Sequence, residues 1–275
     1  MKTITFCSFK GGTAKTSSAL HIGVCLAKFH AKKVLLIDFD PQANLSIGLG
    51  FGSDNPDTAV PVLQGSCSIQ DVIKNTSVDE LSLIPSNTFL DGVERTAQLC
   101  GNPYAHELLR ESLKDVENDY DFCIIDTSPS LGWLTQSAFF ASQYGVICCT
   151  PEAYSVLALR RLRDFFKSVQ RHHDIQALGV ILSLWDERGA VNTELLNEIE
   201  KSFPDKTLQA KIRRDISVSR AALHGKSVFD FDPSSRVAQD YKELTSELIQ
   251  RFDVNSGGIP PANLFMKTEQ TSVKV

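Results

Sequence analysis

The feature that most constrains this 275-residue chain is a glycine-containing turn, Lys10–Thr16. The stretch before it, Ile4–Cys7, is short and apolar, as expected for a buried strand. The stretch after it, Ala19–Ala27, has apolar residues at helical spacing. A strand, a glycine turn with a Lys-Thr pair, and a helix are the context that a phosphate-binding loop requires. The sequence therefore predicts a phosphate site near the amino terminus.

Each part of this loop suits such a site. Gly11–Gly12 let the backbone curl so that N–H groups point inward, and the helix start adds unpaired N–H groups and a positive dipole end. Lys15 is placed to reach the β- and γ-phosphates, and the Thr16 hydroxyl to bind Mg²⁺. The strict consensus is not met, because Phe9 and Ala14 stand at its glycine positions. We expect alanine to be tolerated at position 14, since φ should be negative at a helix entrance. The alternative is a plain strand-to-helix turn with solvated lysines.

Two further apolar stretches end in acidic residues. Val34–Ile37 leads into Asp38 and Asp40, and Phe122–Ile125 leads into Asp126. Such stretches are typical of strands buried on both faces of a parallel sheet, and ligands of open α/β sheets bind at the carboxyl ends of the strands. Asp126 is suited to holding Mg²⁺ through water. A strand ending in aspartate is common and more often structural, so this prediction depends on the phosphate loop that precedes it.

Strand-like stretches alternate with helical ones along the chain. This alternation predicts an α/β fold with a mostly parallel sheet and helices on both faces. We expect a single domain over residues 1–254 and a mobile tail over 255–275, where the chain becomes polar and rich in Gly and Pro. Local composition predicts a turn over 44–50, a loop over 51–66, and helices near 89–99 and 104–117.

Charge and composition limit the classes of partner. The net charge of −5 gives no overall attraction to nucleic acid, so any DNA contact has to come from a local patch. The candidate cations for such a patch are Arg188, Arg213, Arg214, Arg220, Lys226 and Arg236. The alternative is a solvated face on which Asp215, Asp230 and Asp232 interleave with these cations. Seven cysteines without a C-x-x-C pair indicate reduced core residues of a cytosolic protein, and no apolar run is long enough to span a bilayer.

Three motifs, taken in this order, resemble those of the ParA/Soj/MinD family of ATPases. Lys10–Thr16 resembles the deviant Walker A loop of that family, Asp38–Gln42 its A′ motif, and Ile124–Gly132 its Walker B segment, with Ser128 in place of a common proline. Two looser similarities, at Ile212–Asp215 and Gly225–Val228, extend the resemblance over about residues 1–252. It is closest to the short partition ATPases without an N-terminal helix-turn-helix domain. The resemblance implies a P-loop NTPase fold of the deviant Walker A type, with ATP and Mg²⁺ as cofactors.

The resemblance also implies roles for particular residues. The implied catalytic residues are Lys10, Lys15 and Asp40, with Lys10 acting on the nucleotide of the partner subunit and Asp40 positioning the attacking water. The implied nucleotide-binding residues are Lys10, Gly11, Gly12, Thr13, Ala14, Lys15, Thr16, Ser17, Arg213 and Asp215. The implied metal-binding residues are Thr16, Asp38 and Asp126. Arg213 replaces a proline that is common in the family.

The function that the resemblance implies is DNA partition, of a plasmid or a chromosome. An ATP-bound homodimer would bind DNA without sequence specificity and hydrolyse ATP, slowly until a ParB-like DNA-bound partner stimulates it. The protein would be cytoplasmic, and nucleoid-associated when ATP-bound. The implied DNA-binding residues are Arg188, Arg214, Arg220, Lys226 and Arg236.

Two other functions stay open. The first is a MinD-like membrane-positioning ATPase, which needs a C-terminal amphipathic helix. Asn263–Glu269 is too short and polar for one, so no stable membrane contact is expected. The second is a nucleotide-binding regulatory protein with little hydrolysis, which the departures at Ala14 and Ser128 suggest.

Overall fold

The computed structural model describes residues 1–93, 104–189 and 191–255 of the chain. Within these residues, eight strands form one sheet: β1 (Lys2–Cys7), β2 (Val34–Phe39), β3 (Lys74–Asn75), β4 (Leu81–Ile84), β5 (Phe122–Thr127), β6 (Tyr144–Cys149), β7 (Gln176–Trp185) and β8 (Thr207–Arg213). Their order is β3-β4-β2-β5-β1-β6-β7-β8, and every neighbouring pair is parallel except β3 with β4. The predicted α/β fold with a mostly parallel sheet is confirmed.

Helices cover both faces of this sheet. They are α1 (Lys15–His30), α2 (Asn44–Gly48), α3 (Ala59–Leu63), α4 (Ile69–Val72), α5 (Leu90–Val93), α6 (Leu108–Leu113), α7 (Trp133–Ala141), α8 (Ala153–Val169), α9 (Asn192–Ser202), α10 (Ile216–Leu223), α11 (Val228–Phe231) and α12 (Arg236–Asn255). Short 3₁₀ turns, Ala105–Glu107 and Lys114–Val116, flank α6.

The central strands are apolar at nearly every position because both of their faces are buried. On β2, Leu36 packs into the core that α1 and α12 cover, whereas Leu35 and Ile37 pack into the core beneath α3 to α7. A third cluster lies under α8 and α9, where Phe166 and Ile199 pack on β6 and β7. Side chains alternate across a strand, so an unbroken apolar run gives each face of the sheet its own core.

The sheet order determines where a ligand can bind. β1 lies between β5 and β6, and the chain after β1 crosses to β2 on one side before later strands are added on the other. Ligands of open α/β sheets bind at such a switch in strand order, beyond the carboxyl ends of the strands. The register pairs Asp38 of β2 with Asp126 of β5, and Phe6 of β1 with Asp126. The loop after β1 therefore faces acids from two nearby strand ends.

Some local predictions were wrong or incomplete. Within the predicted turn over 44–50 the structure has helix α2, and within the predicted loop over 51–66 it has helix α3. The Thr58 side chain caps α3 by accepting a hydrogen bond from Val60 N at 3.2 Å, and the first turn of a helix tolerates the proline that follows. A short capped helix needs little periodic sequence, so apolar spacing did not indicate it.

Other predictions fall partly outside the described residues. Of the helix predicted near 89–99, the described part is α5, and residues 94–103 are not described. The predicted tail over 255–275 lies outside the described residues apart from Asn255, which ends α12. In the described ranges, no helix combines the length and the apolarity needed to cross a membrane.

Candidate functional site

The glycine turn after β1 borders an open cleft of about 460 Å³. Every residue of the predicted loop from Lys10 to Ser17 lines this cleft. The opposite walls come from the loop after β2, with Asp40 and Gln42, and from the segment Val218–Lys226. The cleft thus lies at the carboxyl edge of the sheet, next to the start of α1, as the motif spacing predicted.

Lys15 is buried at the base of this cleft. Its Nζ lies 2.7 Å from Asp126 Oδ1 and also donates to the Thr127 carbonyl. Burial alone would lower the pKa of Lys15, but attraction and hydrogen bonding to Asp126 outweigh burial and hold the pKa above its usual value. Lys15 is therefore a charged ammonium group held at the loop by a carboxylate. An anionic ligand would attract the same group.

Three carboxylates meet near Lys15. Asp38 and Asp126 are fully buried and Asp40 is nearly so. Burial and repulsion from Asp126 raise the pKa of Asp38 to about 7, against the hydrogen bonds that Asp38 accepts from Ser46 and Asp40. Burial likewise raises the pKa of Asp40. One lysine does not balance three acids, so the site favours a further cation.

The donor set fits a magnesium ion better than a metal held by protein alone. Oδ2 of Asp126 is buried and accepts no hydrogen bond, which leaves a carboxylate oxygen for a cation or its water. No cluster of three or more His, Cys, Asp or Glu side chains converges as metal ligands within the described residues. Mg²⁺ usually takes one or two protein carboxylates and completes its shell with water and phosphate oxygens. Thr16 and Asp126 would serve such an ion beside a bound phosphate.

Ala14 differs from its predicted conformation. We expected a negative φ at this position, but its φ is +57°, and Gly12 has φ +77°. The physical reason is that α1 starts at Lys15, so Ala14 is the capping residue outside the helix and turns the chain into it through the left-handed region. That region costs an L-residue roughly 1–2 kcal/mol. Glycine would avoid this cost, which explains why the strict consensus has glycine there.

Lys10 does not point into the base of the cleft. Its Nζ forms an ion pair with Glu152, the residue before α8, and both side chains are partly exposed. The guanidinium of Arg161 lies 5.5 Å from the centroid of the Phe9 ring, a cation–π distance. Phe9 and Lys10 thus contact α8 and the residue before it, and the predicted contact of Lys10 with a partner subunit stays a prediction.

Sequence reasoning missed two buried serines that organise the acids. Ser46 donates from its N and Oγ to Asp38 Oδ2, at 2.8 and 2.7 Å. Ser86 donates from its N to Ser46 Oγ at 3.0 Å and from its Oγ to the Asp40 carbonyl at 2.7 Å. Nothing in the sequence pairs Ser86 with Asp40, because 46 residues separate them.

Sequence reasoning also missed His21, which lines the cleft from α1. Its Nε2 accepts from Val228 N at 3.1 Å, so its Nδ1 carries the hydrogen that Ser17 O accepts at 2.7 Å. Its ring stacks on Tyr241, with centroids 4.7 Å apart, and burial lowers its pKa to about 4. His21 is therefore a neutral bridge between the loop helix and the segment after α10.

The structure separates the predicted basic residues into three locations. Arg188, Arg213, Arg214 and Arg236 line one groove of about 810 Å³ beside the ends of β7 and β8. Lys226 instead lines the cleft beside the glycine turn, and Arg220 lies on α10. The four arginines alone share one surface, which is called the arginine groove below.

Acidic residues offset part of the charge in the arginine groove. The backbone N of Arg213 donates to Asp240 Oδ2 at 3.0 Å, and its Nε donates to both oxygens of that carboxylate at 3.1 Å. Asp215, which was predicted with Arg213 to contact a nucleotide, caps α10 by accepting from Ser217 N at 2.9 Å. Neither Arg213 nor Asp215 is among the residues lining the cleft.

Comparisons with known proteins agree on one family. A family model described as an AAA domain matches residues 1–178. The chain is 50% identical over 249 residues to a ParA family protein of Chlamydia muridarum, covering 90% of this chain and 98% of that protein. It is 36% identical over 250 residues to the sporulation initiation inhibitor protein Soj of Bacillus subtilis, covering 90% of this chain and 98% of that protein.

Two solved structures are similar over nearly the whole chain. Cobyrinic acid a,c-diamide synthase from Mycobacterium smegmatis, with bound ADP and magnesium, has a TM-score of 0.79 at 26% identity and covers 94% of this chain and 96% of its own. A putative plasmid partition protein from Borrelia burgdorferi, bound to AMPPNP, has a TM-score of 0.77 at 26% identity and covers 91% and 99%.

Proposed function

The chain belongs to the ParA family, and from this premise we propose that it is a DNA partition ATPase that binds ATP with Mg²⁺, dimerises around it and hydrolyses it. The observation that carries the proposal is the buried Lys15–Asp126 pair at the glycine turn, with Asp38 and Asp40 beside it. The loop that carries Lys15 lines the cleft together with Asp40, and Asp38 and Asp126 are buried close by. This combination of a lysine with several carboxylates suits a triphosphate and its metal.

In this proposal the loop from Gly11 to Ser17 binds the phosphates and Lys15 stabilises charge on the β- and γ-phosphate oxygens. Thr16 and Asp126 would hold Mg²⁺, with Asp38 supporting them, and the ion would supply positive charge beside the phosphates. Asp40 orients the attacking water. Its Oδ1 is already fixed by the hydrogen bond from Gln42 N at 3.0 Å.

The proposed dimer gives Lys10 its role. Lys10 would leave Glu152 and contact the nucleotide of the partner subunit, so that hydrolysis requires two chains. The exposed position of the Lys10–Glu152 pair supports this proposal, because exposed ion pairs contribute little and exchange easily.

The arginine groove is the proposed surface for DNA. Among the described residues, Arg188, Arg214 and Arg236 form no ion pair, whereas Asp240 neutralises Arg213. Arginines that contact phosphates without base contacts give binding without sequence preference. A dimer would present two such grooves and so double the number of phosphate contacts.

The test compares nucleotide states on one DNA of arbitrary sequence. We expect salt-sensitive binding with Mg²⁺ and ATP and little binding with ADP or without nucleotide. Arg214→Ala should weaken binding on every sequence alike. Binding that ignores the nucleotide would contradict the proposal.

Stimulation by a ParB-like partner is part of the same proposal, and phosphate release measures it. We expect slow release from the protein alone and faster release with DNA and a DNA-bound partner. Release that stays undetectable with ATP, DNA and partner would favour the regulatory, non-hydrolysing alternative, which the left-handed Ala14 supports. If the ATP-loaded protein floats together with liposomes, that result would favour the MinD-like alternative.

A further inference from the structure

Two buried serines connect the acidic residues on the wall of the nucleotide cleft. Ser46 lies in α2, and Ser86 lies two residues beyond the end of β4. Both are fully buried, and neither is among the residues lining the cleft. Any effect of these serines on a bound ligand therefore passes through the residues that they contact.

Ser46 fixes the carboxylate of Asp38. Its backbone N–H and its hydroxyl both donate to Oδ2 of Asp38, and the other oxygen, Oδ1, accepts from Asp40 N at 3.3 Å. Three hydrogen bonds on one buried carboxylate leave it a single orientation. The bonds also favour its charged form against burial.

Ser86 fixes the backbone that carries Asp40. Its hydroxyl donates to the Asp40 carbonyl, and its N–H donates to the hydroxyl of Ser46. The strand register brings Ser86 to Asp40. Ile84 of β4 pairs with Ile37 of β2, and the segments that follow these two strands leave the sheet at the same edge. A continuous chain of hydrogen bonds runs from the Asp40 backbone through both serines to Asp38.

We propose that Ser46 and Ser86 are positioning residues for ATP hydrolysis: Ser46 orients Asp38, and Ser86 holds the turn that places Asp40. This inference rests on the proposed ATPase function and on the role of Asp40 within it. Small displacements of a catalytic group reduce rates steeply, and losing a partner of a metal-site residue usually costs 10–100-fold in activity or metal affinity. Contacts with the bound nucleotide should change little, because the serines do not reach it.

The experiment separates turnover from binding in single-turnover ATP hydrolysis with Mg²⁺. Ser86→Ala should lower the rate constant about tenfold or more, with the Kd for ATP unchanged within about twofold. Ser46→Ala should lower it as well and raise the Mg²⁺ concentration needed for half-maximal rate. Ser46→Ala also removes the acceptor of the Ser86 backbone N–H and so already loosens Ser86. The double variant should therefore lose less than the product of the two single losses.

Ser142→Ala is the matched control. Ser142 is fully buried, and its hydroxyl makes hydrogen bonds to Ala138 O and Thr5 Oγ1 at the far end of α7, away from the cleft. This variant should lose comparable thermal stability while its hydrolysis rate stays within about twofold of the unmodified protein.

Two outcomes would overturn the inference in different ways. If the unmodified protein hydrolyses ATP but Ser86→Ala turns over at the same rate, or loses rate and affinity only as Ser142→Ala does, the positioning role is wrong. If the unmodified protein hydrolyses no ATP, the proposed function is wrong and the inference falls with it.

Discussion

Replacing Asp38 with asparagine should make the protein more stable at pH 8 and remove part of its pH dependence. The raised pKa of Asp38, about 7 against an ordinary value of 3.8, means that burial beside Asp126 disfavours its charge in the folded state. That difference corresponds to about 4 kcal/mol between the two protonation states. Asparagine is neutral at every pH, and its side-chain oxygen can keep the bonds from Ser46.

The direction of this pH effect follows from proton binding. Between pH 4 and 7 the folded protein holds a proton on Asp38 that the unfolded chain has released. The contribution of Asp38 to the stability of the folded state is therefore fully present below about pH 4 and is lost as pH rises through about 7. The stability difference between Asp38→Asn and the unmodified protein should be about 1 kcal/mol at pH 4.5 and should grow to about 4 kcal/mol by pH 8.

Urea unfolding at pH 4.5, 6, 7 and 8, without nucleotide or Mg²⁺, measures this difference. Asp54→Asn is the control, since Asp54 is exposed and lies outside the acid cluster, and it should stay within about 0.5 kcal/mol at every pH. A difference for Asp38→Asn that stays below about 1 kcal/mol at pH 8, or that increases toward low pH, would refute the reasoning.

Three further predictions concern single residues. Lys15→Met should abolish the ATP binding that calorimetry detects. It should also lower the free energy of unfolding in urea by about 3–5 kcal/mol, because Asp126 is left buried and unpaired. Retained ATP affinity would contradict this prediction. Glu152→Gln should release Lys10 and strengthen ATP-dependent dimerisation in sedimentation by up to about fivefold; weaker dimerisation would show that Glu152 serves the dimer instead. Arg214→Ala should reduce the slope of log affinity for DNA against log salt concentration by about 2 per dimer, because each of the two grooves loses one phosphate contact. An unchanged slope would show that Arg214 is not part of the interface.

The sequence was sufficient to predict the parts of the site that lie at the ends of strands. Parallel strands bring their carboxyl ends to one edge, so a loop after β1 and acids after β2 and β5 are close in space wherever they stand in the chain. That rule, applied to the apolar stretches together with the glycine turn, placed Lys15, Asp38, Asp40 and Asp126 close together. The same strands, buried on both faces, revealed the sheet because they had to be apolar throughout.

The parts that the sequence did not predict depend on contacts between distant residues. Glu152 reaches Lys10 across 142 positions, and Asp240 neutralises Arg213 across 27. Neither acid belongs to a motif. Only the folded structure therefore shows which basic side chain is paired with an acidic one. Among the described residues, three arginines of the groove therefore form no ion pair, and the fourth, Arg213, is neutralised by Asp240.

Local backbone geometry set a second limit. Ala14 was expected to have a negative φ because it stands at the entrance of a helix, but a capping residue lies outside the helix and is free of that constraint. The short helix α3 is likewise stabilised by its Thr58 cap, and α2, which has no side-chain cap, by the packing of its buried residues, not by periodic apolar residues. Sequence periodicity cannot resolve elements of about one turn.

Calorimetry of nucleotide binding tests the central claim most directly. Titrating ATP into the unmodified protein with Mg²⁺ should give one site per chain, and the affinity should fall sharply when EDTA removes the metal. Lys15→Met under the same conditions should show no binding heat. No heat with the unmodified protein and Mg²⁺, or equal affinity in the Lys15→Met variant, would contradict the assignment of this cleft to a metal-bound triphosphate.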